Sequence, residues 1–444
     1  MTFSPHQLFE ILSTLPDTRR YWLAYSGGQD SHVLLYALAA VRHRLSAAVF
    51  TLHVDHGLQA ESVSWSAHCA RVCHALRIPF QSLRLDSHPI KGQSPEAWAR
   101  QARYKVLADQ MGPGDILLTA HHQDDQAETV LLQLLRGAGP RGLAAMPLVA
   151  RFGPGYQARP LLGFSRQALQ AYALKNQLDW IEDDSNQDTG FDRNYLRQRV
   201  LPLLRERWPA LAGTLSRSAR HCAEAQLLID EGAVETLENL LGEKGQTIAI
   251  SGLRALSPPR ARAVLRAWIR RAGFPLPDSA RLERLYSEMI GARVDRNPLV
   301  RWPGVDARRY RDRLFLMPPL QPIDPGLILR WDSHSPLALP AGLGRLELKA
   351  GPGGISRECW EGKRIEIRFR HRGERLHLPD RLHSQTFKNF FQQNAIPPWQ
   401  RGRIPLIYLD GELAAVADLC LCTAFQSRPG EDGIHIRWER NTPR

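Results

Sequence analysis

The run Ser26-Gly27-Gly28-Gln29-Asp30-Ser31 has the residue types needed to hold an anion. Two glycines let the backbone turn sharply and approach a ligand that side chains would keep at a distance. Free backbone N–H groups at the start of a following helix favour negative charge. Ser26 and Ser31 add hydroxyl donors. Asp30 would repel a phosphate unless Mg²⁺ stood between them, so it reads as a metal-side carboxylate. No Gly-Lys-Ser/Thr closes the loop, which separates it from the Walker P-loop.

A second constellation lies in His121-His122-Gln123-Asp124-Asp125-Gln126-Ala127-Glu128-Thr129. Asp125 and Glu128 stand one helical turn apart and can point to one side. With His121 just ahead of them, they suit the holding of a cation and the uptake of its proton. Acids in a first turn also serve as caps, worth ~0.3–1 kcal/mol each, but Asp124, Asp125 and Glu128 together exceed what capping needs. Arg100 and Arg103 lie three apart and can face one polyanion, where bidentate guanidinium suits developing phosphate charge. Arg193 and Arg197, spaced i and i+4, have two readings: contact with phosphate or RNA, or an internal network with Asp183 and Asp184. Asp55-His56, at a strand end, reads either as the nucleotide edge of a sheet or as structural. Cys69 and Cys73, flanked by His68 and His74, have no matching Cys-x-x-Cys elsewhere, so a structural zinc is disfavoured.

These groups need a scaffold that brings them together. The first ~200 residues read as strands alternating with helices, the pattern of a parallel sheet with crossovers. Strands are expected at 22–25, 47–54, 80–85 and 115–120, and helices at 31–41, 62–76, from Ser94-Pro95 onward, and 124–136. Each motif then falls at a strand end or a helix start. From about 210 to 292 the pattern turns helical: Ala261, Val264, Leu265, Trp268 and Ile269 repeat with helical spacing, as do Leu282, Leu285, Tyr286, Met289 and Ile290. Pro318, Pro319, Pro322 and Pro325 mark a linker, and short β-like runs follow it. The fold class expected is therefore α/β with a Rossmann-like parallel sheet at the N-terminus, a helical middle domain and a small β-rich C-terminal domain. Boundaries are expected at 1–212, 213–318, a linker 319–345, and 346–444.

Composition narrows the partners. The 444 residues are 43% hydrophobic and 23% charged, which excludes wholesale disorder. No stretch approaches the ~18 apolar residues of a membrane span, and no signal peptide is readable, so a cytoplasmic protein with reduced thiols is expected. The net charge is +13. Residues 1–250 hold 25 basic and 25 acidic side chains, residues 251–400 hold 27 and 14, and residues 401–444 hold 6 and 6. The whole excess lies in one segment, the electrostatic footprint of a polyanion partner.

The Ser-Gly-Gly-x-Asp-Ser loop resembles the pyrophosphate loop of the N-type ATP pyrophosphatase (PP-loop) superfamily, and further blocks resemble the tRNA(Ile)-lysidine synthase family. They are Asp55-His56-Gly57-Leu58, Ala99-Arg100-Gln101-Ala102-Arg103-Tyr104, the His121–Thr129 run continuing to Arg136-Gly137, Arg159-Pro160-Leu161-Leu162, Glu182-Asp183-Asp184-Ser185-Asn186, Phe191–Arg197, Phe387–Gln392 and Ile396–Leu406, in the family's order. Gln59 departs from the Arg that family often has there. The resemblance implies ligation of lysine to C2 of the wobble cytidine in the CAU anticodon of tRNA(Ile), changing codon recognition from AUG to AUA. ATP and Mg²⁺ are implied, with AMP and pyrophosphate released from an adenylated intermediate. Carried over, it implies catalytic roles for Asp30, Asp125, Glu128 and Arg103. ATP would bind Ser26 to Ser31, Gln29 included, with Asp55, His56 and Arg100. Lysine would bind His121, Asp125 and Glu128, and Mg²⁺ would bind Asp30. For tRNA the expected residues are Arg193, Arg197, Arg266, Arg270, Lys388, Arg401 and Arg403. A tRNA thiolase of the same superfamily is the alternative, but residues 77–221 hold no cysteine to carry sulfur. If residues 251–400 dock tRNA through six or more phosphates, affinity falls about 10³-fold or more between 50 and 200 mM salt in a filter-binding titration. A flat response would refute that docking surface.

Overall fold

The computed structural model describes residues 2–55, 62–85, 95–182, 189–242, 245–291, 296–369, 375–378 and 384–440. The chain divides into two compact units, Met1–Ile229 and Asp230–Arg444. His56 and the Asp183–Asn186 run, both singled out above, lie outside the described residues.

In the first unit the strands are β1 (Arg20–Ala24), β2 (Ala48–Asp55), β3 (Phe80–Arg84), β4 (Ile116–Leu118), β5 (Val149–Phe152) and β6 (Gly155–Ala158). The helices before, between and directly after the first four are α1 (Pro5–Leu12), α2 (Gln29–Val41), α3 (Ser62–Ala75), α4 (Pro95–Asp109) and α5 (Gln123–Leu135). The spatial order is β3-β2-β1-β4-β6-β5. All neighbours are parallel except the β5–β6 hairpin. Alternation along β1 explains the burial on both faces. Tyr21, Leu23 and Tyr25 pack with Leu34, Leu35 and Leu38 of α2. Trp22 points the other way, against Leu52, Leu107 and Leu117. A parallel sheet needs cover of this kind on each side. The strand–helix alternation read from the sequence stands, and the β5–β6 hairpin extends the sheet by two strands that reading had not marked.

The order has a mechanical consequence. The chain leaves β1 toward β2 on one side, whereas β4 lies on the other, so the connections after β1 and β4 diverge. The crevice between them, at the carboxyl ends of the strands, is where doubly wound sheets bind ligands. The SGGQDS loop follows β1 and the His121 run follows β4, so both motifs open onto it.

At the opposite ends of these strands Asp115 fixes the β1–β4 register. It is 2% exposed and accepts from Arg20 Nε at 3.1 Å, Trp22 Nε1 at 3.0 Å and the Gly112 N–H at 2.9 Å.

The second unit begins with helices and ends with sheets. The second half of Leu211–Glu238, then Ile250–Arg254, Pro258–Arg271 and Ser279–Arg284 cover a four-stranded antiparallel sheet. Its strands are Thr247–Ala249, Arg313–Met317, Val305–Tyr310 and Leu299–Trp302 in spatial order. The apolar stripe foreseen at Ala261, Val264, Leu265, Trp268 and Ile269 is fully buried. Beyond the proline-rich stretch a five-stranded and a four-stranded antiparallel sheet share a core that includes Trp331, Leu346, Ile367 and Ile436. The architecture is therefore an α/β N-terminal domain, a helical middle region and a β-rich C-terminal domain. All six cysteines are free, and among the described residues no helix is long and apolar enough to cross a membrane.

Replacing Asp115 by Ala strands the buried Trp22 indole N–H and the Gly112 amide. We expect a loss of about 2–3 kcal/mol, read as a lowered urea midpoint. A loss below ~0.5 kcal/mol, the range of an ordinary surface substitution, would refute this account.

Candidate active site at the β1–β4 crevice

The loop after β1 is held by its own side chains. Gly27 adopts φ +86°, and a Cβ there would run into Ile181 Cδ1 at 2.7 Å and Cys69 Sγ at 2.9 Å. Only glycine fits both the conformation and the space. The Ile181 N–H donates to the Gly27 carbonyl at 3.0 Å. Ser31 Oγ donates to the Gly28 carbonyl at 3.0 Å and lies 3.0 Å from Ser26 Oγ, which accepts from the Gly28 N–H at 3.3 Å. The two hydroxyls thus brace the loop. Gly28 caps α2 without a side-chain hydrogen bond, so the first-turn N–H groups have no side-chain acceptor at the cap.

Gln29 and Asp30 open α2. Asp30 Oδ2 lies 3.4 Å from His122 Nε2, while its Oδ1 is buried with no partner. A buried carboxylate oxygen without a donor is what a missing cation leaves behind. The residues therefore fit Mg²⁺, which takes one or two carboxylates and completes its shell with phosphate oxygens and water. Among the described residues no three His, Cys, Asp or Glu side chains form an all-protein cage. Asp55 ends β2 at the same edge of the sheet.

After β4 the chain turns into α5 through a reciprocal cap. His122 Nδ1 accepts from the Asp125 N–H at 3.3 Å, and Asp125 Oδ2 accepts from the His122 N–H at 3.0 Å. Asp124 accepts from the Arg166 N–H at 2.7 Å and pairs with Arg205, so it is structural. Asp125 and Glu128 are 8% and 1% exposed and share two guanidinium groups. Asp125 Oδ1 is 3.0 Å from Arg193 Nη2 and 2.9 Å from Arg197 Nη2. Arg193 Nε donates to Glu128 Oε2 at 2.7 Å and Arg197 Nε to Glu128 Oε1 at 2.6 Å. The arginines follow Phe191; Arg193 lies in the short helix Asp192–Tyr195 and Arg197 in the π turn Leu196–Val200. Of their two readings, the internal network describes their contacts here, with Asp125 and Glu128 as the partners. Burial would raise the Asp125 carboxyl, but the polar ring and backbone N–H of His122, with the Arg193 guanidinium, override it and hold it at about 2.

His121, on the same turn, sits in a cationic setting. Its Nδ1 is 3.0 Å from Thr119 Oγ1, which accepts from Gln157 Nε2 at 3.1 Å; Gln157 Oε1 in turn accepts from Arg159 Nη2 at 2.6 Å. Burial, with Arg159, Arg193 and Arg100 nearby, pushes His121 down to about 3 against the pull of Asp125. It is therefore neutral at physiological pH, a hydrogen-bonding group but a weak base. Burial also lowers Arg103, and Arg100 and Arg193 add to it. The Arg100 and Arg103 guanidinium carbons lie 5.2 and 5.9 Å from the Tyr104 ring centre. Among the described residues neither makes a carboxylate ion pair, and Arg159 Nε is buried without a partner. An anion would relieve this crowding. Arg159 and Gln157 had no role in the sequence reading. Arg159 stood in a quoted block, whereas Gln157 lies on the unmarked strand β6.

The other residues proposed for tRNA lie in the second unit. Along Pro258–Arg271, Arg270 reaches Asp230 at 3.5 Å, Arg262 reaches Glu283 at 3.3 Å, and Arg271 pairs with Glu238. Arg266 is half-buried on the same helix. Lys388 is exposed on Phe387–Gln393. Arg401 donates to the Ile396 carbonyl at 2.9 Å, and Arg403 donates to the Ala341 carbonyl at 2.9 Å and to that of Gln321. Both of these arginines brace backbone.

A glycine loop at a sheet switch point, a lone carboxylate oxygen and uncompensated arginines define a nucleotide-binding domain of the PP-loop class, and residues 4–204 match the family model described as the PP-loop domain. Residues 249–315 match the TilS substrate binding domain and residues 365–438 the TilS substrate C-terminal domain. The chain is 41% identical over 434 residues to the tRNA(Ile)-lysidine synthase of Coxiella burnetii, covering 98% of this chain and 96% of that protein. It is 43% identical over 422 residues to that of Methylococcus capsulatus, covering 94% and 96%. It belongs to the tRNA(Ile)-lysidine synthase family, whose PP-loop domain uses ATP. A solved U34-tRNA thiolase from Methanococcus maripaludis with its [4Fe-4S] cluster is similar over 50% of this chain and 78% of that one, at 16% identity and TM-score 0.42. Cys69 and Cys73, in the same domain as the loop, do not suit sulfur transfer. Burial raises the thiols of Cys69 and Cys73, Cys69 to about 12, the reverse of an activated thiolate.

Because the Asp125 carboxyl sits near 2 when folded and near 3.9 when unfolded, its ionisation stabilises the fold fully above about pH 4. That contribution is lost as pH falls from about 4 through 2. Urea midpoints taken between pH 5 and 2.5 are expected to fall more steeply for the wild type than for Asp125→Asn. Parallel curves would show that Asp125 is not held ionised by its neighbours.

Proposed function

We propose that this protein ligates lysine to C2 of the wobble cytidine of CAU-anticodon tRNA(Ile), spending ATP to adenylate the C2 oxygen and releasing pyrophosphate and then AMP. One observation carries the reading: the anion loop, a lone Asp30 oxygen, an acid pair and unpaired arginines converge on one crevice. The family membership agrees with it.

The chemistry divides among these groups. The loop from Ser26 to Ser31, with the start of α2, receives the pyrophosphate, and Asp55 flanks the nucleotide; a nucleotide role for His56 rests on its sequence block alone. Asp30 would hold Mg²⁺, which supplies charge neutralisation to the phosphates. Arg103 and Arg100 face the α-phosphate, where negative charge grows as the C2 oxygen attacks and pyrophosphate leaves. Free lysine is mostly protonated at neutral pH (pKa about 10.4), so its ammonium needs carboxylates to hold it, and the one that accepts its proton must first lose arginine pairing, which otherwise keeps it a weak base. Asp125 and Glu128 are those carboxylates, with His121 as a neutral hydrogen-bonding neighbour. Arg193 and Arg197 fill most of their acceptor sites, so an incoming ammonium takes over sites from the arginines. A guanidinium released in this way can turn to an RNA phosphate. The helical segment 213–318 and the β-rich segment 346–444 dock the tRNA. The excess charge of 251–400 supports that, and Lys388 is better placed for it than Arg401 or Arg403. Arg266 and Arg270 contribute to the field around the helix.

Incubation with ATP–Mg²⁺, labelled lysine and CAU-anticodon tRNA is expected to put label into RNA only when ATP is present. Label that ignores ATP, or none at all, refutes the function. Asp30→Ala should abolish AMP formation while leaving tRNA affinity within about twofold. Equal loss of both would remove Asp30 from the phosphate site.

A further inference from the structure

His122 is buried, 2% exposed, and its two ring nitrogens face different elements. Nδ1 accepts the Asp125 N–H at 3.3 Å, so the lone pair is on that nitrogen and the ring hydrogen is on Nε2. Nε2 in turn lies 3.4 Å from Asp30 Oδ2 on α2 and 3.5 Å from Asp125 Oδ2. The remaining acid near the ring is Asp124, 3.8 Å from Nδ1. An N-cap alone does not require this residue, since Ser, Thr, Asp and Asn cap best. What histidine adds is a second nitrogen that reaches across the crevice. Asp30 approaches the ring through Oδ2, while its buried Oδ1 has no hydrogen-bond partner.

We propose that His122 is a positioning residue: Nε2–H fixes the Asp30 carboxylate so that Oδ1 faces the cation and pyrophosphate, while Nδ1 fixes the helix bearing Asp125 and Glu128. One side chain thereby sets the distance between the pyrophosphate end of the site and the acid pair. The inference rests on the reading of Asp30 as the Mg²⁺-side carboxylate.

Two substitutions separate the two nitrogens. His122→Asn keeps an acceptor at the level of Nδ1, and with it the cap, but is too short to reach Asp30. His122→Gln places an amide N–H at the level of Nε2 and loses the cap. Each full-length variant is tested by thermal melting and by calorimetric titration with ATP at a series of Mg²⁺ concentrations. His122→Asn should melt within about 2 °C of the wild type and bind ATP at least tenfold more weakly at saturating Mg²⁺. His122→Gln should melt several degrees lower and keep Mg²⁺-dependent ATP affinity within about threefold. Wild-type ATP affinity in His122→Asn overturns the proposal and leaves His122 a cap. Equal weakening in both variants overturns it too, since the reach to Asp30 would then make no difference. A wild type whose ATP binding ignores Mg²⁺ removes the premise and the proposal together. These titrations contain neither lysine nor tRNA, so failure of lysine ligation leaves their outcome unaffected.

Discussion

Two carboxylates one helical turn apart cannot be buried ionised without nearby cations. Moving a single carboxylate out of water costs several kcal/mol even after relaxation, and a second one beside it adds repulsion. Asp125 and Glu128 meet this constraint through Arg193 and Arg197, whose guanidinium groups each bridge both acids. The arginines lie 65 to 72 residues further along the chain. The acid pair therefore depends on β5, β6 and the helix Arg166–Lys175, which lie between the partners in the chain. Removing one member would leave a buried charge without its counterpart, which is costly, whereas the complete set is balanced at zero. Balance makes the cluster able to exchange one cation for another with little change in net charge.

The other side of the crevice is unbalanced. Arg100, Arg103 and Arg159 crowd Tyr104, Gln157 and His121, and among the described residues none of the three makes a carboxylate ion pair; burial and like charge depress Arg103, and they depress His121 against the pull of Asp125. Such a group gains most from a multiply charged anion and little from a neutral ligand. The crevice thus carries a charge-matched group and a cation-rich group, and Asp30 of the N-terminal loop meets the first through His122. An amino acid with an ammonium group and a nucleotide with phosphates have opposite needs, and the two sides differ accordingly.

How much of this could be read from the sequence depended on the range of each interaction. The loop after β1 was legible because its constraint is local: Gly27 must adopt positive φ between a strand and a helix, and no other residue does so without strain. The acid pair was legible from spacing alone. Its counterions were not, because nothing near Arg193 or Arg197 marks Glu128 as a partner, and their spacing allowed both contact with phosphate or RNA and a network with Asp183 and Asp184. The arginines of Pro258–Arg271 show the same limit. Their density was visible, but the acids that meet them, Asp230, Glu238 and Glu283, come from neighbouring helices. Arg403 looked like a surface cation and braces two carbonyls. The β5–β6 hairpin was missed because Val149–Phe152 and Gly155–Ala158 are too short for alternation to register.

Long-range pairing also explains why the charge excess of the second half remains meaningful after its arginines are assigned partners. An exposed ion pair contributes only ~0–1 kcal/mol to stability, so such pairs can be opened when a polyanion competes for the cation. The segment 251–400 still holds 27 basic side chains against 14 acidic ones. Pairing fixes where Arg262, Arg270 and Arg271 stand; two of the acids, Asp230 and Glu238, come from before the segment and offset two of its cations, which leaves most of the excess in place. A fixed array of cations is better suited to a rigid polyanion than a mobile one, because less side-chain freedom is lost when the phosphates arrive. The acids of the neighbouring helices therefore hold the basic helix in shape, and the unmatched remainder supplies the attraction.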